Sequence, residues 1–200
     1  MEIIVATGNA HKLGELADLF PGHALKRPAD LGLPGFDVEE NGSTFLENAL
    51  IKAQALRGLV GRPVLADDSG LAVRALGGAP GIRSARYGSE DGRRKIASEE
   101  RNALLLGEME GKADRACAFV CCLVFAFSDE RFYIVQETLE GELLCAPRGQ
   151  GGFGYDPVVF VPSLRKSVAE LSAAEKNAVS HRGRAARRMA AIIADLEAAP

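Results

Sequence analysis

The sequence lacks most of the features that assign a function directly. It carries no excess of positive charge: 24 Lys and Arg stand against 27 Asp and Glu, a formal net charge of −3. No overall basic field therefore draws nucleic acid to it. Any anion must be held by local placement of Lys and Arg. The chain has no C-x-x-C pair. Cys117, Cys121, Cys122 and Cys145 have no histidine near them in sequence, which argues against a zinc site. They read as reduced, buried core residues. The longest apolar run, 116–127, is too short to span a bilayer as a helix. The start, Met1-Glu2-Ile3-Ile4-Val5, has no basic region followed by a long apolar one, so no signal peptide is expected. The expected location is the cytoplasm, with no membrane and no nucleic-acid partner.

What the chain does have is apolar bulk. Hydrophobic residues make up 47% of 200 positions, enough for one large domain or two small lobes sharing a core.

The central stretch is Pro63-Val64-Leu65-Ala66-Asp67-Asp68-Ser69-Gly70-Leu71-Ala72-Val73. Apolar flanks read as strands, which places two adjacent carboxylates at a strand end. Aspartate is a poor strand residue, so strand stability does not explain the pair. Two readings stand open. Asp-Ser-Gly is good turn chemistry. Paired carboxylates also suit a hard cation such as Mg²⁺, which takes oxygen ligands and bridges to phosphates.

Around this stretch lie several weaker signals. A strand over 2–6 runs into Thr7-Gly8-Asn9-Ala10-His11-Lys12 and then a helix marked by Leu13, Leu16, Leu19 and Phe20. Asn9 caps that helix. Its N-terminal N–H groups suit an anion, and a bound anion would offset Lys12 in the first turn. The loop is neither a Walker A nor a G-x-G-x-x-G motif. Thr44 and Glu47 predict a capping box, opening a helix whose stripe runs from Phe45 to Val60. Lys52 lies at the edge of that stripe, either snorkelling or meeting a phosphate. Glu39 and Glu40 precede it, either as solvated loop charges or as a second carboxylate for the Asp68 site.

Further along, 77–81 reads as a hinge-like glycine stretch and 91–108 as a helix. The run 116–127 reads as a central strand covered on both faces, joined by a turn at 128–130 to a strand over 131–144. In 148–157, four glycines surround Phe153, Tyr155 and Asp156. Two readings stand open here: a plain surface loop, or two aromatics that sandwich a planar base with Asp156 accepting from ring N–H groups. No helix follows, so this is not a dinucleotide fingerprint. Ser172 and Glu175 form a capping box. Lys176, His181 and Arg182 come next, and Arg182 falls on the apolar face of the last helix. A buried guanidinium needs a partner, either a protein carboxylate or an anionic ligand.

Five segments together carry a resemblance. These are Thr-Gly-Asn-x-x-Lys at 7–12, Ala-Asp-Asp-Ser-Gly-Leu at 66–71 and Pro-Gly-Ile-Arg-Ser-Ala-Arg-Tyr at 80–87. Gly-Gly-Phe-Gly-Tyr-Asp-Pro at 151–157 and Glu-Lys-Asn-Ala-Val-Ser-His-Arg-Gly at 175–183 complete the set. In order and spacing the chain resembles the inosine/xanthosine triphosphate pyrophosphatases, the non-canonical purine NTP pyrophosphatases. The resemblance implies a mixed α/β fold over 1–200, with two lobes joined by a long, mostly antiparallel sheet and a nucleotide cleft between them. It also implies a homodimer. The implied activity is Mg²⁺-dependent hydrolysis of ITP, dITP and XTP to the monophosphate and pyrophosphate.

By position, the resemblance makes Asp68 the general base and a Mg²⁺ ligand, and Glu39 a second ligand. Thr7, Gly8, Asn9, Ala10, His11, Lys12 and Lys176 would hold phosphates, with Ser69 a further substrate contact and Lys52 a further phosphate contact. Phe153, Gly154, Tyr155, Asp156, His181 and Arg182 would take the base and adjoining groups. The competing readings are a pyrophosphatase for other modified or canonical triphosphates, and a nucleotide-binding regulator without turnover.

Overall fold

The computed structural model describes residues 1–198. The element order is β1 (Glu2–Ala6), α1 (Ala10–Leu19), β2 (Ala24–Lys26), α2 (Phe45–Val60), β3 (Val64–Val73) and α3 (Ser98–Glu108). Then follow β4 (Ala116–Ala126), β5 (Phe132–Leu143), β6 (Val159–Val161), β7 (Lys166–Ser167), α4 (Ala173–Val179) and α5 (His181–Ala198). The strands form one mixed seven-stranded sheet in the order β2-β1-β3-β4-β5-β6-β7. The chain divides into two compact units. The first holds Met1–Asp68, Cys121–Glu137 and His181–Pro200, and the second Ser69–Val120 and Thr138–Ser180.

In the first unit β1 pairs in parallel with both β2 and β3, with Ile4 opposite Val64 and Ala6 opposite Ala66. Alternate side chains of a strand face opposite sides, so β1 feeds two cores. Ile3 and Val5 pack with Leu16 of α1, Phe20 just beyond its end, Leu65, and Met189 and Ile193 of α5. Ile4 and Ala6 pack with Ala49, Ala53 and Leu56 of α2. Both faces being covered is why this stretch reads as an unbroken apolar run. Each large side chain so buried contributes about 1.5–3 kcal/mol. The β4–β5 turn closes where the N–H groups of Phe127 and Ser128 both donate to the Arg131 carbonyl.

In the second unit β5, β6 and β7 pair antiparallel, with Leu143 opposite Val159 and Phe160 opposite Ser167. Leu71, Val73, Leu105, Met109, Leu139, Tyr155 and Leu171 are among the residues of its core.

The structure corrects four expectations. The acidic pair is not at a strand end or in a turn, because β3 runs unbroken for 10 residues through Asp67, Asp68, Ser69 and Gly70. The helix expected over 91–108 starts only at Ser98. Asp91 instead accepts from the Ser89 hydroxyl and the N–H groups of Arg93 and Arg94, a side-chain turn that competes with helix. The 77–81 stretch is tied rather than hinged: Gly78 N–H donates to Val73 O, Val73 N–H to Ala79 O, and Ala72 bridges Pro80. Cys145 is exposed, while the other three cysteines are buried. Among the described residues no helix is long and apolar enough to cross a membrane.

Candidate active site

In the first unit the two adjacent aspartates of β3 point to opposite faces of the sheet, as strand alternation requires. Asp67 follows Leu65 onto the α1/α5 side, and Asp68 follows Ala66 onto the α2 side.

Asp67 is 1% exposed and fully engaged. Lys12 Nζ lies 2.5 Å from Oδ1, and Arg182 Nε donates to Oδ2 at 2.8 Å. The Cys121 thiol donates to the same Oδ2 at 3.4 Å. Arg182 is itself 2% exposed, and its Nη1 donates to Glu15 Oε2 at 2.6 Å. Burial alone would raise the Asp67 carboxyl, but Arg182 and Lys12 outweigh it and hold it well below the usual range. Burial and the Asp67 charge push the Cys121 thiol well up. Arg182 therefore takes the first of its two readings in this structure, a guanidinium paired within the protein. The loop before α1 folds as expected. Asn9 Oδ1 accepts from His11 N–H at 2.9 Å and Lys12 N–H at 3.3 Å, and Asn9 N–H donates to Thr7 Oγ1. The anion that offsets Lys12 in the first turn is Asp67, a carboxylate of the chain itself.

Asp68 has a different setting. Lys52 Nζ donates to its Oδ1 at 2.7 Å and to the Asp67 carbonyl at 2.7 Å, with Glu40 Oε1 at 3.3 Å from the same amine. Oδ2 of Asp68 is buried with no hydrogen-bond partner. Burial dominates and raises the Asp68 carboxyl above its ordinary value, with Lys52 and Lys12 pulling back in part. Lys52 keeps its proton: burial works against the charge, but Asp68 and Glu40 together more than offset it. Glu39 is exposed, and it is Glu40 whose carboxylate meets Lys52.

A buried carboxylate oxygen without a partner is costly and is a natural ligand atom for a hard cation. Among the described residues no group of three or more His, Cys, Asp or Glu side chains is arranged to hold a metal. The unpartnered Asp68 Oδ2 suits an ion that takes one or two carboxylates and completes its shell with phosphate and water, as Mg²⁺ does.

In the second unit, 151–157 forms a tightly hydrogen-bonded loop. Asp156, 3% exposed, accepts from Phe153 N–H at 2.7 Å and from Lys176 Nζ at 2.6 Å. The Lys176 amine sits 4.6 Å from the Phe153 ring centre. Gly152 is required here. Its φ is +70°, and a Cβ would lie 2.1 Å from Asp156 Oδ2. Gly154 O accepts from Asn102 Nδ2 of α3 at 3.1 Å. Tyr155 is 3% exposed, packs in the core and donates its hydroxyl to Ser84 O at 3.0 Å, whereas Phe153 is half-buried. Ser69 is half-buried on β3. His181, 5% exposed, opens α5 in the first unit.

Sequence reasoning passed over Glu15, Cys121 and Asn102. The demand of Arg182 for a partner was the signal for Glu15, one helical turn beyond Lys12. For Asn102 the signal was a polar residue three positions before Leu105 on a helix's inner face.

Comparison with known proteins identifies the family. The model of the Ham1 family matches residues 3–192. The chain is 52% identical over 185 residues to a protein of Treponema denticola named dITP/XTP pyrophosphatase, covering 92% of this chain and 94% of that one. It is 45% identical over 192 residues to a protein of the same name from Geobacillus kaustophilus, covering 94% and 92%. The solved structure of the Staphylococcus aureus Ham1 protein superposes with a TM-score of 0.87 at 38% identity, over 98% of this chain and 100% of that one.

Proposed function

The chain belongs to the Ham1 family, and from that premise we propose that it hydrolyses the non-canonical purine nucleoside triphosphates dITP, ITP and XTP to the monophosphate and pyrophosphate, removing them from the nucleotide pool. The feature that supports this most directly is Asp68: a buried carboxylate with one oxygen on Lys52 and the other open.

A polyphosphate repels an attacking water by its own charge. In this reading Lys12, Lys52 and Lys176 neutralise that charge, and the N–H groups at 8–12 add donors at a helix start. Asp68 orients the water and accepts its proton at Oδ2. Burial raises the basicity of Asp68 above that of a solvated aspartate, whose reference pKa is about 3.9. Asp68 and Glu39 are the residues that would hold Mg²⁺. When bound, the ion adds charge neutralisation and acidifies water.

The base would lie against Phe153, with Lys176 and Asp156 fixing the ring's loop. A 6-oxo purine offers an acceptor where adenine offers an amine. A donor such as His181, or a backbone N–H of the 153–156 loop, pairs with the oxygen and leaves the amine unmatched, which discriminates strongly. Arg182, which pairs with Asp67 and Glu15, holds this region of the first unit in shape in this reading. The same reading has the protein act as a homodimer in the cytoplasm.

The test is pyrophosphate release from dITP, ITP, XTP, dTTP, GTP and ATP, with Mg²⁺ and with EDTA, for wild type and Asp68→Asn. Fast, Mg²⁺-dependent release from the first three, with loss in the variant, is expected. Equal turnover of all six, or full activity in EDTA, would overturn the substrate class or the metal assignment respectively. Binding of ITP without any turnover would favour the regulator.

A further inference from the structure

We propose that Asn102 of α3 is a positioning residue for the purine base, holding the Gly154 carbonyl and with it the Phe153 ring; this rests on the substrate reading above. Asn102 is 5% exposed and sits three and seven residues before Leu105 and Met109, both core residues. It thus interrupts an apolar helix face with an amide. Its Nδ2 donates to Gly154 O at 3.1 Å, while its Oδ1 is buried with no partner. A buried amide with an unmet acceptor is a poor choice for stability alone, since a leucine of similar size would leave nothing unsatisfied. The hydrogen bond to Gly154 is what the amide supplies.

The loop shows why that bond matters. Gly151 N–H is held by Ala169 O, Phe153 N–H by Asp156 Oδ2, and Asp156 N–H by Phe153 O. Those bonds fix both flanks of the turn. Gly154, at φ +65°, has the conformational freedom of glycine, and its carbonyl is anchored to a helix through Asn102. The neighbouring Arg101 lies over the Tyr155 ring at 5.4 Å. Two successive residues of α3 thereby brace the two residues that follow Phe153. Without Asn102 the peptide at 154 can rotate, and Phe153 loses its fixed plane for stacking.

The two reaction products separate this role from a purely structural one, because inosine monophosphate carries the base and pyrophosphate does not. In full-length Asn102→Leu and Asn102→Asp, the KM for ITP and the inhibition constant of inosine monophosphate are expected to rise about tenfold, with that of pyrophosphate within about twofold of wild type. The melting temperature of Asn102→Leu should equal or exceed that of wild type. Phe153→Ala should give the same pattern, and the Asn102→Leu/Phe153→Ala pair should be no worse than Phe153→Ala, since coupled neighbours do not add. If Phe153→Ala weakens inosine monophosphate but both Asn102 variants do not, the positioning role is overturned and the base site stands. A parallel loss of pyrophosphate and monophosphate also overturns it. If Phe153→Ala itself leaves inosine monophosphate unchanged, the base is not on this loop, and the reading and the inference fall together. Should Asn102→Leu fail to fold, Asn102→Asp, which keeps the size, is read by the same criteria.

Discussion

Asp67 and Asp68 are covalent neighbours with opposite electrostatic roles. Asp67 is saturated by Lys12, Arg182 and the Cys121 thiol, and its carboxyl is held well below the usual range. Removing its charge deprives a buried guanidinium of the carboxylate that its Nε donates to, so Asp67→Asn is expected to cost about 3 kcal/mol in urea unfolding at pH 7. The sign with pH follows from the depressed pKa. The stabilisation is complete above the unfolded value of about 3.9 and is lost as pH falls through the lower folded value. The gap between wild type and Asp67→Asn should therefore be widest near neutrality and close below about pH 4. Asp68 runs the other way. Its raised carboxyl costs stability as pH climbs past the unfolded value, so Asp68→Asn gains on wild type with rising pH in metal-free buffer. Its stability change at pH 7 should be about 1 kcal/mol or less, because Lys52 keeps Glu40 and the Asp67 carbonyl. Its kcat should nonetheless fall by about 10²–10⁴. Chemical denaturation across pH 3–8, set beside turnover, checks both variants. The sequence marked both aspartates as a site but not their division of labour, which depends on residues 55 and 115 positions away meeting Asp67.

At the scale of elements, β3 is a strand that contains its functional residues rather than ending at them. Asp-Ser-Gly read as turn chemistry because local propensity was the information to hand. Tertiary partners override it: Leu71 N–H donates to Ser84 Oγ, and Gly70 lies against Ser84 and Gly81. A Cβ at Gly70 would stand 2.3 Å from Ser84 Oγ and 2.5 Å from Gly81 O. Gly70→Ala is expected to destabilise by about 1–3 kcal/mol, and Ser84→Ala should rescue it only in part because the Gly81 carbonyl remains. Thermal melts of the two singles and the double decide this. Local signals succeeded where the partners are local. Thr44 Oγ1 accepts from Glu47 N–H and starts α2 as expected. The Glu47 carboxylate, however, accepts from Ser43 N–H and its hydroxyl, one residue before the cap. The start of α3 was missed for the same kind of reason, since the Asp91 turn sits within three residues and masks the helical spacing behind it.

For the whole molecule, the apolar periodicity conveyed most of the element order, because each core face writes its own repeat, and the mixed α/β fold came from the family resemblance. They did not convey that the two units divide the chain inside β3, β4 and β5, since an apolar strand looks the same whichever core it joins. Thiol accessibility samples both units together. Cys117, Cys121 and Cys122 are buried, and burial pushes Cys117 up to about 12, whereas Cys145 is exposed. Titration of the native protein with an aromatic disulfide at pH 8 should count one thiol promptly and all four after denaturation, with more than one prompt thiol counting against this packing.

The alternation of β3 also bears on heredity. Changes on α2 that retune Lys52, and with it the reacting carboxylate, meet one side of the strand, while changes on α1 and α5 that trade one buried ion pair for another meet the opposite side. Drift can thus proceed on the two sides with little mutual constraint. A single-codon insertion or deletion before Asp67 has no such latitude, because it turns each carboxylate to the other side of the strand in one generation.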